Sequence, residues 1–194
     1  VTFVGFGLLA SSMAAAIRAS RLPLTIRVVS SPNTLSRARE LGLADETFAY
    51  DDVQEWAKDT DLLLLCSPIL HILKMLEMLK NVSVDRPVVV SDIGSTKTEI
   101  CKAGALLPKP FLFVGGHPMA GSEKRTLEYN DPSLFENAFW FLCPQASTKK
   151  EDYALLSELI SFLGSEQVLF DAKEHDDTIA WLSHMSQMVS TTLA

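Results

Sequence analysis

Apolar runs of strand length alternate with amphipathic stretches of helix length along most of the chain, the pattern of a parallel sheet covered on both faces. The runs predict strands over 1–4, 25–29, 47–50, 61–66, 87–92, 111–115, 138–143 and 167–171, and the clearest helices over 8–19, 32–41, 68–79, 95–105 and 149–162. Asp61-Leu62-Leu63-Leu64-Leu65-Cys66 lacks polar alternation, as a strand buried on both faces requires. Between 117 and about 137 periodicity disappears, and loops of that length inside a compact domain are usually functional or mobile. From Glu174 onward Ile179, Leu182, Met185, Met188, Val189 and Leu193 recur at helical spacing, a pattern still running at Ala194. The expected architecture is α/β: a doubly wound, mainly parallel sheet over residues 1–172, then the first helix of a truncated all-helical domain over 173–194.

Composition narrows the function classes. Hydrophobic residues at 47% and charged residues at 21% suit an ordinary packed domain. A net charge of -7, with lysine and arginine scattered, excludes the basic stripe of a nucleic-acid binder. Cys66, Cys101 and Cys143 have neither metal-ligand spacing nor the even count of a disulfide framework, so we expect free, partly buried thiols and no metal. No apolar run approaches the roughly 20 residues of a membrane span, and no secretory leader is apparent. A cytoplasmic protein with no membrane partner is the expectation.

Two motifs carry chemistry. Gly5-Phe6-Gly7-Leu8-Leu9-Ala10 follows a strand and opens a helix, the context in which a glycine fingerprint signals a Rossmann-type dinucleotide site. Gly5 permits the tight turn, Gly7 lets the backbone approach a pyrophosphate at the helix N-terminus, and Ala10 allows close helix–sheet packing. Where an acidic residue would hold the adenosine ribose of NAD, the chain reads Val29-Ser30-Ser31. Loss of that carboxylate tilts the cofactor toward NADP over NAD, with Ser30, Ser31 and Thr34 or Arg37 as donors; the bland reading is that the serines cap a helix. Ser67-Pro68 and Asp92 to Ser95 end the fourth and fifth strands, at the sheet edge where open α/β folds bind ligands. Gly115-Gly116-His117-Pro118-Met119-Ala120-Gly121-Ser122-Glu123 then sets a histidine on a glycine-loosened loop, where it can take a proton from a substrate hydroxyl near neutral pH. Ser95, one strand-end away, could bond the imidazole or the substrate oxygen. His71 matches no motif and reads as a surface or capping residue.

These runs, with Glu174-His175-Asp176 and Ser183-His184, resemble the prephenate/arogenate dehydrogenase family of tyrosine biosynthesis over essentially the whole chain. The resemblance implies oxidation of a cyclohexadienol at its ring hydroxyl, hydride passing to nicotinamide and loss of the ring carboxylate giving an aromatic product. It implies that His117 is the catalytic base, that Ser95 orients base and substrate, that Glu123 stands near the site's mouth, and that His175 and His184 flank the substrate pocket. It also implies a homodimer formed through the helical domain. Relatives commonly read Ser-His-Leu-Pro-His where this chain has Ser183-His184-Met185-Ser186-Gln187. Gln187 keeps hydrogen bonding without a positive charge, which tolerates an ammonium and favours arogenate or dual use. Two readings stand beside this one: another β-hydroxy-acid dehydrogenase on a similar fold, and a dinucleotide-binding module without catalysis.

Overall fold

The unalternating leucine run forms the middle of an eight-stranded sheet. The computed structural model describes residues 1–121, 123, 124 and 126–181. Strands β1 (Thr2–Val4), β2 (Arg27–Val29), β3 (Glu46–Phe48), β4 (Leu62–Leu65), β5 (Val88–Asp92), β6 (Phe111–Pro118), β7 (Phe139–Pro144) and β8 (Glu166–Leu169) lie in the order 3-2-1-4-5-6-7-8. Neighbours pair in parallel except β6 and β7, which are antiparallel. The connecting helices are α1 (Leu8–Ala19), α2 (Pro32–Glu40), α3 (Val53–Ala57), α4 (Ile69–Leu79), α5 (Thr98–Gly104), α6 (Ala154–Phe162) and α7 (Ala172–Ile179).

Alternate strand residues feed two cores. Phe3, Val28, Leu62 and Leu64 pack with Met13 and Ile17 of α1, Leu35 of α2 and Leu156 and Ile160 of α6. Val4, Val29, Leu63 and Leu65 pack on the opposite face with Trp56 of α3, Ile72 and Leu76 of α4 and Ile100 of α5. A side chain such as Leu63, fully buried, contributes about 1.5–3 kcal/mol over leaving it exposed. Both faces are thus covered, which is why β4 carries no polar residue.

The strand order reverses between β1 and β4, and there a crevice must open at the carboxyl edge. Gly5 N donates to Val29 O at 2.8 Å and Cys66 N to Val4 O at 2.7 Å, so the ends of β1, β2 and β4 are tied side by side at that edge.

Local boundaries differ most from expectation in four places, beyond shifts of one or two residues at strand ends. A one-turn helix, α3, occupies a stretch left unassigned. The helix expected over 149–162 is a 3-10 turn at Lys150–Tyr153 followed by α6. Helix α5 starts at Thr98 and not at 95. Strand β6 runs on through His117 to Pro118, with Gly116 opposite Leu142 and His117 opposite Phe141. His117 therefore stands on a strand, not on a loosened loop. The apolar stripe from Leu182 to Leu193 lies outside the described residues.

Candidate active site

His117 is 9% exposed and lines a crevice of about 550 Å³ together with Ser95, Met119, Gly121, Asn137 and Ile179. Its Nδ1 lies 2.9 Å from Nε2 of His175, and Nδ1 of His175 lies 2.9 Å from Oδ1 of Asp176. A carboxylate only accepts, so His175 carries its proton on Nδ1 and offers a lone pair at Nε2. His117 must then donate from Nδ1, which leaves the lone pair of neutral His117 on Nε2.

Asp176 is held by the start of α5: its Oδ1 accepts from the backbone N–H of Lys97 at 2.6 Å and its Oδ2 from that of Thr98 at 2.9 Å. Partial burial works against its charge, but hydrogen bonds from Thr98, His175 and Lys97 outweigh it and hold the carboxyl at about 2. His175 is fully buried, edge-on to Phe141 and Phe170. Burial is the largest influence on its imidazole and lowers the pKa despite the neighbouring carboxylate, so it is neutral at pH 7. His175 thus stands behind His117 as its partner, away from solvent, where the resemblance implied a flank of the substrate pocket.

Behind this chain the peptide of Gly116 is gripped at both polar groups. Its N–H donates to Asp92 Oδ1 at 3.1 Å, and its carbonyl accepts from Lys97 Nζ at 2.8 Å. Asp92 also accepts from Gly94 N at 2.8 Å and pairs with Lys97, both side chains fully buried. Only glycine fits at 116, since a Cβ would stand 2.5 Å from Asp92 O and 2.8 Å from Ser91 Oγ. Asp92, expected at the cofactor, is corrected here. Its carboxylate is spent on Gly94, Gly116 and Lys97 with no exposed surface, so it props the strand end that presents His117.

Two further crevices adjoin the first. Gly7, Leu8, Leu9 and Ala10 line one of about 260 Å³ with Cys66, Ile93, Gly121 and Lys124. Gly5, Phe6, Gly7, Ser30, Ser31, Thr34, Ser67, Pro68 and His71 line another of about 490 Å³. Gly121 borders the first two, and Gly7 and Cys66 the last two, so the three form one trough along the carboxyl edge. Gly5 has φ +92°, and a Cβ there would meet Ser67 Oγ at 2.3 Å and Cys66 O at 2.6 Å. Ser67 donates to Val4 O at 3.3 Å and so ties β4 to β1; Ser31 and Thr34 share a 3.0 Å side-chain bond. Arg37 turns to Glu40 and Glu128. Burial pushes the Cys66 thiol up, so the trough holds no thiolate there.

The structure thus brings Ser95, His117, His175 and the Gly5–Ala10 turn to one edge. Glu123 is exposed on the loop two residues past Gly121, and His184 and Gln187 lie outside the described residues. Asp176 and Lys124 were not among the candidate site residues, and His71, expected to be a surface or capping residue, lines the trough. Asp176 sat unremarked inside a quoted motif. Lys124 directly follows Glu123, and His71 stands three residues after Pro68, one helical turn along the same face. The described residues contain no His/Cys/Asp/Glu group able to hold a metal ion, and no described helix is long and apolar enough to cross a membrane.

Residues 13–169 match the family described as prephenate dehydrogenase, nucleotide-binding domain. The chain belongs to that family. Prephenate dehydrogenase of Bacillus subtilis is 31% identical over 195 residues, covering all of this chain and 52% of the relative, so the chain spans about half that relative's length. Among solved structures, prephenate dehydrogenase of Aquifex aeolicus in complex with hydroxyphenyl propionate and NAD+ superposes with a TM-score of 0.88 at 28% identity, over 99% of this chain and 66% of the other. Synechocystis arogenate dehydrogenase gives 0.82 at 30% identity, over 99% and 66%. For a prephenate dehydrogenase nucleotide-binding domain, the trough beginning at Gly5 is the expected place for the nucleotide.

Proposed function

We propose that the protein is an NAD(P)-dependent dehydrogenase that oxidises prephenate, arogenate or both at the ring hydroxyl, with loss of the ring carboxylate, in tyrosine biosynthesis. The observation that carries this reading is the basic nitrogen of His117 beside a crevice continuous with the glycine turn. The residues fit a dinucleotide: Gly5 and Gly7 keep the turn low, the first residues of α1 line the trough, and Ser67 and Pro68 border the same trough. When bound there, the nicotinamide supplies the acceptor for the hydride leaving the carbinol carbon.

The protein's own residues handle the proton. His117 Nε2 accepts it from the ring hydroxyl as the carbonyl develops, Ser95 in the same crevice orients that oxygen, and aromatisation makes the loss of carbon dioxide favourable. The Aquifex relative, crystallised with an aromatic acid and NAD+, supports the pairing of ligands. Glu123, His184 and Gln187 are assigned to the substrate side, Gln187 favouring tolerance of arogenate. A preference for NADP is supported by the adenosine end of the trough, where no acidic side chain stands among the described lining residues. In the same reading residues 173–194 open a helical domain through which the protein dimerises.

Assaying prephenate and arogenate, each with NAD and NADP, on the full-length protein tests the reading. Turnover of at least one cyclohexadienol, with the higher kcat/KM for NADP, is expected. Cofactor binding without turnover of either would leave only a binding module. A monomeric mass in solution would contradict the dimer.

A further inference from the structure

The carboxylate of Asp176 does more than cap α5. It accepts from two backbone amides of that helix and from His175, 2.9 Å away, and His175 in turn meets His117 at 2.9 Å. Among the described residues, the charged and titratable groups facing His175 are His117 on β6, Asp176 on α7, and the Lys97–Asp92 pair at the junction of β5 and α5. Its remaining ring neighbours, Phe141 and Phe170, are aromatic. With both oxygens occupied and the ring wedged between aromatic edges, the pair has one favourable proton arrangement.

We propose that Asp176 is a positioning residue that acts through His175 to fix the tautomer of His117 and to strengthen it as a base. The proposal rests on His117 being the base, as argued above. With Asp176 ionised, the proton on His175 stays at Nδ1, the proton on neutral His117 stays at Nδ1, and Nε2 of His117 is the site that receives the substrate's proton. After that transfer the imidazolium still donates to His175 Nε2, and the partly buried negative charge two hydrogen bonds behind stabilises it. An asparagine at 176 has one acceptor oxygen where the carboxylate has two, so it must give up one of the two backbone bonds to α5, and it carries no charge to stabilise the imidazolium. With the amide N–H toward His175, the proton of His175 would move to Nε2 and leave the wrong nitrogen of His117 protonated; with the amide oxygen there, the tautomers would stay and the charge alone would be lost.

Nitrogen-15 NMR of the histidine-labelled wild-type protein reads the tautomers directly, without a variant and without turnover. Nδ1–H forms at both His117 and His175 are expected; an Nε2–H form at neutral His117 overturns the proposal. Asp176→Asn should then lower kcat by about a hundredfold or more and move the acid limb of the kcat/KM profile to lower pH, because the charge behind the imidazolium is lost in either orientation of the amide. Cofactor affinity should stay within about threefold, and Asp176→Glu should recover part of the rate. An Asp176→Asn enzyme with unchanged tautomers and an unshifted pH profile overturns the proposal and leaves Asp176 a helix cap. Normal turnover in His117→Asn would instead overturn the proposed function, and the two failures are distinct.

Discussion

Lys97 and Asp92 form an ion pair with both side chains fully buried, and between them they hold the N–H and the C=O of Gly116, the residue before His117. Breaking one partner strands the other charge in a dry site, so Lys97→Met should cost about 3–5 kcal/mol in urea unfolding. Replacing both with apolar residues should recover part of that loss. A Lys97→Met protein as stable as the wild type would mean the pair is solvated in solution.

Gly5→Ala should act at the nucleotide. The left-handed φ of +92° and the approach to Ser67 Oγ and Cys66 O leave no room for a methyl group, and strain at such a position costs about 1–3 kcal/mol. Calorimetric titration with NAD(P) should show affinity reduced on the order of tenfold or more. An unchanged Kd would place the dinucleotide elsewhere.

Ser30→Asp should reverse cofactor choice. The serine directly follows β2, beside Ser31 and Thr34, and a carboxylate there repels a 2′-phosphate while accepting ribose hydroxyls. The ratio of kcat/KM for NADP to that for NAD should fall by on the order of tenfold or more. A ratio that does not move would remove the strand-end serines from cofactor selection.

Burial of His175 makes folding pH-dependent with a definite sign. Its pKa is lowered in the folded protein from an ordinary 6.5, so as pH falls the unfolded chain takes up the proton first. Stability is fully present above about pH 6.5 and declines below it, down to the lowered folded value. Urea midpoints measured from about pH 7.5 to 5 should fall in the wild type and fall less in His175→Gln. Identical profiles would show that His175 is not buried neutral.

Much of this architecture was legible because strand burial and helix periodicity are local signals. The Leu62–Leu65 run declared a central strand, and the Gly5–Ala10 turn declared the crevice at the sheet's switch point. What escaped depends on distant partners. His117 looked like a loop residue because two glycines precede it, yet β7 supplies the pairing that extends β6 through Pro118. Ser95 looked like the start of a helix, but α5 begins at Thr98, where a carboxylate 78 residues later in the chain takes up its amide. The brief α3 is too short for periodicity to register, although Trp56 on it is fully buried. His175 sits in a polar stretch, Lys173-Glu174-His175-Asp176-Asp177, which gave no hint that one member is entirely enclosed. Asp92 sat at a strand end facing the ligand edge, and only the positions of Lys97 and Gly116 show its carboxylate turned inward.

The most direct test of the account is turnover by His117→Asn in the full-length protein at saturating cyclohexadienol and cofactor. We predict kcat reduced by on the order of a hundredfold or more with NAD(P) affinity nearly unchanged. A variant that turns over at close to the wild-type rate would contradict the assignment of His117 as the base.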